Sequence, residues 1–206
     1  MQEVKLNFIN RSQDNNDSQI LIFQKNTAEH FDEQSVAWMV IKNCKPGDNH
    51  PFNFPLHCTI SASDSLGNET NRVKADNGQL FELKNTQSGP ALVLTEEDVW
   101  PQEIHLMNSL PKGAMTANIY RNNRLLGIKT GMVPGQKTSF KFNTTLWIGA
   151  VSLIDEGVII NSAIVSDITT RINLYGIASA DLVMTGGGPG RSAVPFSFGL
   201  ENIKHS

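Results

Sequence analysis

The sequence of this chain predicts an all-β protein, built as one or more antiparallel β-sandwiches with one or two short helices. Three observations lead to this prediction. Apolar and polar residues alternate in short runs, turn-forming stretches separate the runs, and several runs recur in the same order later in the chain. Alternation with a period of two places successive side chains on opposite faces of a strand. Many short strands at this spacing are typical of a sandwich or a barrel.

The alternating runs occur near the start, in the middle and at the end of the chain. They are Val4, Leu6 and Phe8; Phe52, Phe54, Leu56, Cys58 and Ile60; Phe140 and Phe142; and Val194, Phe196, Phe198 and Leu200. The stretches KPGDNH, DSLGN, DNGQ, RNNR, VPGQK and GGGPGR are rich in turn-forming residues. Short helical turns are predicted at AEHFDEQ and TEEDVW, where the alternation is interrupted.

Residues 162–175 allow two interpretations. Isoleucine recurs every fourth residue at 160, 164, 168 and 172, and Gly176 stands where a helix C-cap would be. The same segment is dense in Ile, Val and Thr, and residues 167, 169, 171 and 173 would form one polar face of a strand. Because β-branched side chains restrict χ1 in helices and pack well on a pleated face, we favour the strand.

A long-range similarity predicts an internal duplication. The stretch ILIFQKN at 20–26 resembles ANIYRNN at 117–123, and each is followed by Ile-Lys, then Pro-Gly, then two alternating phenylalanines. We therefore predict two related β units, residues 1–100 and 101–206, which either share one core or lie side by side. Two related units offer a pseudo-symmetric surface, which suits self-association.

Composition argues against several classes of partner. Charged residues make up 18% of the chain, its net charge is −3, and its 17 Lys and Arg residues are scattered singly. Because no basic patch is present, we expect no nucleic-acid partner. No apolar stretch is long enough for a membrane-spanning helix, and the first residues do not resemble a signal peptide. We therefore expect a soluble protein that is cytoplasmic or is released without a signal peptide.

Cys44 and Cys58 are the two cysteines of the chain. They would form a disulfide if they lay opposite each other on a hairpin, and otherwise they would be two buried thiols. Two cysteines are too few for the disulfide framework of a small secreted domain.

The candidate ligand-binding residues are Trp100, Arg191, Gly187 and Gly188. The stretch GGGPGRS resembles a phosphate-binding loop in its glycine content, but AVPFSFGL follows it as a strand, whereas a phosphate loop leads into a helix. We interpret the stretch as a turn whose exposed N–H groups, with Arg191 beside them, would hold an anionic group. Trp100, flanked by acidic residues and Pro101, is the best candidate for an exposed aromatic platform.

No catalytic motif or metal-ligand spacing is recognisable, so we predict no catalytic residue, no metal and no cofactor. The histidines lack the H-x-x-x-H spacing that places two imidazoles on one helical face. A metal-dependent enzyme would have to use His30 and His50, brought together by their loops. The sequence D-x-[DN]-x-[DN]-G of calcium loops is absent.

The layout VKLNFINRS…SQILIFQK resembles the opening strands of actinoporin-like cytolysins and fungal fruit-body lectins. This resemblance implies a β-sandwich that binds sugars or lipid head groups, and it assigns no site residue. Our first hypothesis is a non-enzymatic sandwich that acts by binding or self-assembly, either lectin-like or as an interaction module. The alternatives are a membrane-active toxin, in which residues 158–183 would form a membrane hairpin, and a metal-dependent enzyme.

Overall fold

The computed structural model describes residues 3–14, 16–28, 34–97 and 100–206, and these residues form an all-β fold, as predicted. Its first eight strands are β1 (Glu3–Asn10), β2 (Gln19–Phe23), β3 (Met39–Ile41), β4 (Asn49–Pro55), β5 (Cys58–Asp64), β6 (Val73–Ala75), β7 (Leu80–Thr86) and β8 (Gly89–Glu96). The others are β9 (Ile104–Asn108), β10 (Met115–Arg121), β11 (Arg124–Met132), β12 (Lys137–Phe140), β13 (Thr145–Val151), β14 (Arg171–Asn173), β15 (Ile177–Gly187) and β16 (Val194–His205). The helix α1 (Ser162–Asp167) precedes β14, and a 3₁₀ turn (Gly190–Ser192) precedes β16.

The strands group into two compact units, each with two four-stranded sheets. The first unit comprises Met1–Gln24, Val36–Leu56 and Thr144–Ser206, and the second comprises Lys25–Ser35 and His57–Asn143. The sheets of the first unit have the strand orders β16-β15-β1-β4 and β14-β13-β2-β3. Those of the second unit have the orders β12-β9-β7-β8 and β11-β10-β5-β6. Each unit therefore combines four strands from residues 1–100 with four strands from residues 101–206.

The core of the first unit follows the alternation of its strands. Val4, Leu6 and Phe8 of β1 are at most 2% exposed, while the residues between them point outward. Trp38, which directly precedes β3, is fully buried, and its ring contacts the ring of Phe54 in β4 edge-on at 5.7 Å. The edge of one sheet at β3 therefore faces the edge of the other sheet at β4.

The second unit has a core of the same kind. Apolar side chains from both of its sheets are buried to 4% exposure or less, among them Ile60, Phe81, Leu106, Ile119 and Phe140. Gly127 of β11 leaves room for the ring of Phe142, because a β-carbon at this glycine would lie 3.1 Å from Phe142 Cζ.

The two units have the same topology. In each, a central parallel pair, β1 with β15 or β9 with β7, is flanked by antiparallel neighbours. In the other sheet, β2 pairs with β13 as β10 pairs with β5, so that Ile22 lies opposite Ile148 and Ile119 lies opposite Ile60. Strands β1–β4 thus correspond to β9–β12, and β13–β16 correspond to β5–β8.

A buried asparagine ends the first strand of each set and makes equivalent hydrogen bonds. Asn10 accepts a backbone hydrogen bond from Gly47 N at 2.7 Å, and Asn108 accepts one from Gly135 N at 2.7 Å. Their side-chain amides donate to the carbonyls of Cys44 and Met132, each at 2.8 Å. The shared Asn and Pro-Gly positions in the sequence therefore have one structural cause, which is the capping of the turn before β4 and β12.

Residues 162–175 contain both of the elements that the sequence allowed. The strand interpretation is wrong for Ser162–Asp167, which form α1, and right for Arg171–Asn173, which form β14. Asn161 caps the helix, its side chain accepting a hydrogen bond from Ala163 N at 2.8 Å. Packing explains the helix, because Ile164 and Ile168 are four residues apart and both contact the cluster around Leu21 and Phe23.

Cys44 and Cys58 are buried free thiols that belong to different units. The thiol interpretation is therefore confirmed, and the disulfide interpretation is wrong. Burial, together with the charge of Asp48, raises the pKa of Cys44 to about 11.

Candidate functional site

An open polar groove lies on the outer face of the sheet β16-β15-β1-β4 in the first unit. Its volume is about 400 Å³. The groove exists because the apolar residues of β1 point into the core, so that Lys5 and Asn7 point outward between them. The polar side chains that line it come from all four strands of the sheet, and they include Lys5, Asn7, Asn53, Asp181, Asn202 and Lys204.

The register of the strands places the two lysines on either side of β15. Lys5 of β1 lies opposite Ser179, and Ser179 lies opposite Lys204 of β16. Two strand spacings separate the lysine Cα atoms by about 10 Å. Within the described residues neither ammonium group has an ion-pair partner, so this end of the groove is positively charged.

The other end of the groove holds a carboxylate between two amides. Asp181 accepts a hydrogen bond from Asn202 Nδ2 at 2.6 Å and a longer one from Asn7 Nδ2 at 3.3 Å. Asn202 has a φ of 49°, a left-handed conformation that asparagine adopts more readily than most residues with a side chain. The register of β15 and β16 is irregular beside it, between Ser179 and Asp181. This bulge directs the Asn202 amide toward Asp181.

The equivalent face of the second unit is closed by Trp100. His105 takes the place of Asn7, because each lies three residues before the capping asparagine. The Trp100 ring lies 4.2 Å from the His105 ring, and Lys137 Nζ lies 3.8 Å from the centre of the indole. The Trp100 ring therefore contacts both side chains, and the His105 side chain is only 3% exposed.

His105 is a buried imidazole without a hydrogen bond. Neither ring nitrogen has a hydrogen-bond partner, although Glu103 Oε2 lies 3.3 Å from Nε2. Burial lowers the pKa of His105, and the positive charge of Lys137 lowers it further, against the opposing effect of Glu103. The ring is therefore neutral near pH 7, and Trp100 seals it from water.

The glycine-rich stretch connects β15 to β16, as the turn interpretation predicts. Gly188 N donates to Gln13 O at 3.0 Å, so this N–H is already bonded within the protein. A β-carbon at Gly187 would lie 2.9 Å from Phe196 and 3.0 Å from the backbone of Gln13, so close packing explains the glycine. Arg191 is exposed in the 3₁₀ turn.

The four predicted ligand-binding residues do not form one cluster within a unit. Arg191, Gly187 and Gly188 belong to the first unit, and Trp100 belongs to the second. Ligand binding by these residues stays a prediction. The sequence analysis did not identify the groove residues. The alternating pattern shows only that they point outward from β1, β4, β15 and β16, and it does not show that these four strands are neighbours.

A second polar cluster lies on the other sheet of the second unit and has a structural role. Glu69 accepts hydrogen bonds from Ser61 Oγ and from Tyr120 Oη, the latter at 2.7 Å, and the Arg72 guanidinium lies 3.6 Å above the Tyr120 ring. Burial alone raises the pKa of Glu69, but the hydrogen bonds and the Arg72 charge outweigh it, so that the pKa is lowered. The cluster holds the loop before β6 on the sheet.

Within the described residues, no group of three or more His, Cys, Asp or Glu side chains is arranged to hold a metal ion. His30, proposed with His50 as a metal pair, lies outside those residues. No helix in the described part of the chain is long and apolar enough to cross a membrane.

Comparisons with known proteins returned no match, whether against protein-family models, curated proteins or solved structures. The resemblance of the first strands to cytolysins and lectins therefore stays a prediction.

Proposed function

We propose that this chain is a non-enzymatic binding protein whose site is the groove of the first unit, and that its ligand is a small anion with several hydroxyl groups, such as an acidic sugar. The observation that supports this proposal is the arrangement of the groove. Two lysines without ion-pair partners stand at one end, and a carboxylate held between two amides stands at the other.

The two ends of the groove suit different parts of such a ligand. The ammonium groups of Lys5 and Lys204 can donate charge-assisted hydrogen bonds to a carboxylate, sulfate or phosphate. Asp181 accepts from hydroxyl groups, and the amides of Asn7 and Asn202 both donate and accept. A hydroxyl group has the same dual capacity, so a polyhydroxylated ligand can replace water at every one of these groups.

The groove is built on strands, which favours binding. Four hydrogen-bonded strands hold the side chains in place, so fewer backbone torsions have to be ordered when a ligand binds.

The comparison between the two units also favours a site in the first. The same sheet face in the second unit carries Trp100 as a cover over His105, and its neighbouring position in β7 is the apolar Leu80. In the first unit the corresponding positions are Asn7 and Asp181, and the face stays open. Two copies of one topology therefore present a closed face and an open one.

The test is isothermal titration with oligogalacturonic acid, with the neutral oligogalactose of the same length, and with inorganic phosphate. We expect the acidic oligosaccharide to bind more tightly than either of the other two. Binding should weaken as salt is raised from 50 to 500 mM, roughly as the Debye length shortens. Equal binding of phosphate alone would identify a simple anion site, and equal binding of the neutral oligosaccharide would contradict the role of the lysines.

Matched variants assign the site. Lys204→Gln removes one charged donor, so we expect affinity for the acidic oligosaccharide to fall by about tenfold or more, since a hydrogen bond to a charged group contributes roughly 1.5–3 kcal/mol. Lys45→Gln is the control, because Lys45 is an exposed lysine of the same unit outside the groove. If none of the three compounds binds, the proposal fails.

A further inference from the structure

The strand ladders at the centre of each unit join the first half of the chain to the second half. In the first unit, β1 pairs with β15 and β2 pairs with β13. In the second unit, β9 pairs with β7 and β10 pairs with β5. Strands β1–β8 therefore contribute four strands to each unit, and so do strands β9–β16. Neither half contains both partners of any central ladder.

The connection between β4 and β5 is very short. Strand β4 ends at Pro55 and β5 begins at Cys58, so that only Leu56 and His57 lie between them. One boundary between the two units falls in this connection and another falls between Asn143 and Thr144, just before β13, while the remaining two enclose Lys25–Ser35. The three Cα–Cα steps from Pro55 to Cys58 span at most about 11 Å.

This connection is too short for the first half to close on itself. If the first half closed on itself, β5 would pair with β2 in the position that β13 has in the first unit, because β5 and β13 are equivalent strands. The β4 edge faces the β3 edge, as the Trp38 contacts with Phe54 show, and β13 lies two strands away from β3. The chain would have to cross from one sheet to the other, about 10 Å, and also move two strand spacings sideways, about 10 Å more. The connection would therefore have to span about 14 Å. Strand β5 must therefore enter a different unit.

We propose that the chain is a tandem repeat whose two halves exchange strands, and that each half carries an interaction surface that fits a second copy of the repeat. The surface consists of the strand edges that have no neighbour within their own half, which are those of β1 and β2 in the first half and those of β9 and β10 in the second. The partner is a set of four strands of the type β5–β8 or β13–β16 from the other half. The predicted division at residues 1–100 and 101–206 then describes repeats, and each compact unit is assembled from both. This proposal does not depend on the ligand of the groove.

The experiment cuts the full-length chain between its halves. A protease site is inserted after Pro101, in the exposed turn before β9. After cleavage, the mass in solution is measured by light scattering. We expect one species near 22.7 kDa that contains both fragments and separates only in denaturant. Separation into two folded fragments in native buffer would overturn the proposal, since each half would then be complete by itself.

A second variant tests the cause of the exchange. About ten Gly and Ser residues are inserted after Leu56 and also after Asn143, and an insertion of this length adds an average span of about 17 Å to each connection. Both proteins are cleaved, unfolded in urea and refolded at low concentration. The parent fragments should refold only together, at a rate that rises with concentration. The lengthened fragments should refold separately.

An insertion of equal length in the β7–β8 turn, after Gln87, is the control for the added residues, and its fragments should behave like the parent fragments. If the fragments with lengthened connections also refold only together, connection length is not what drives the exchange.

Discussion

Replacing Asn10 or Asn108 by alanine tests whether the two units are built on one plan. Both side chains are buried, at 1% and 0% exposure, and each makes three hydrogen bonds. Asn10 donates to Cys44 O and accepts from the N–H and the hydroxyl of Ser12. Asn108 donates to the carbonyls of Gly113 and Met132 and accepts from Leu110 N. Alanine removes all three hydrogen bonds in either case.

The expected loss follows from the number of hydrogen bonds. Each contributes about 0.5–1.5 kcal/mol net, and the partner groups left unpaired in the interior add to the cost. We therefore expect the free energy of unfolding to fall by about 2–4 kcal/mol in each variant. This is a large part of the 5–15 kcal/mol or so that stabilises a typical domain. With a urea slope of about 2 kcal/mol per molar, in the middle of the usual range, the midpoint should move by about 1–2 M.

The assay is equilibrium unfolding in urea, followed by circular dichroism and by tryptophan fluorescence. Two probes are needed because a protein with two units can unfold in more than one step. Asn49→Ala is the control, since Asn49 is an exposed asparagine in β4, and a surface change of this kind stays within about 0.5 kcal/mol. If one of the buried asparagines proves as tolerant as Asn49, the two caps are not energetically equivalent and the reasoning is refuted.

Three further predictions concern single residues. Cys44, with its pKa raised from 9.0 to about 11, should react with iodoacetamide at pH 8 about a hundredfold more slowly than an ordinary thiol, and mass spectrometry in native buffer and in guanidinium would detect the difference. The pKa of His105 is lowered from 6.5, so the unfolded chain binds a proton before the folded one does, and stability should fall as the pH drops below about 6.5. His105→Asn, which introduces the residue found at the equivalent position of the first unit, should reduce this loss, and thermal unfolding from pH 7.5 to 5 would show whether it does. Gly149→Ala would place a β-carbon 2.6 Å from Ile168 Cγ1 and should cost about 1–3 kcal/mol of unfolding free energy, whereas Gly199→Ala, which meets no atom within 4 Å, should change it little.

Local patterns were sufficient to predict most strands and their faces. Val4, Leu6 and Phe8 are buried on one face of β1, and the alternation of hydrophobic and polar residues is all that this result requires. Residues 162–175 show the limit of such patterns. An isoleucine every four residues suits a helix and β-branching suits a strand, and contacts with Leu21 and Phe23 favour a helix in Ser162–Asp167.

The candidate site was less predictable than the fold. Trp100, predicted to be an exposed platform for a ligand, is half-buried and contacts His105 and Lys137, and its role in ligand binding stays a prediction. Lys5 and Asp181 gave no signal in the sequence, because residues 176 positions apart become neighbours only when β1 pairs with β15. A groove made from single side chains on four strands has no local motif.

The sequence by itself determined that the chain forms strands, which side of each strand is apolar, and which segments correspond between the two halves. Each of these properties depends on residues a few positions apart, within reach of one strand or turn. Only the tertiary structure decided which half supplies the partner of each strand. Backbone hydrogen bonds between strands are chemically alike, so the choice between β5 and β13 as the neighbour of β2 depends on distance. In the strand exchange proposed above, the short connection at Leu56 and His57 sets that distance.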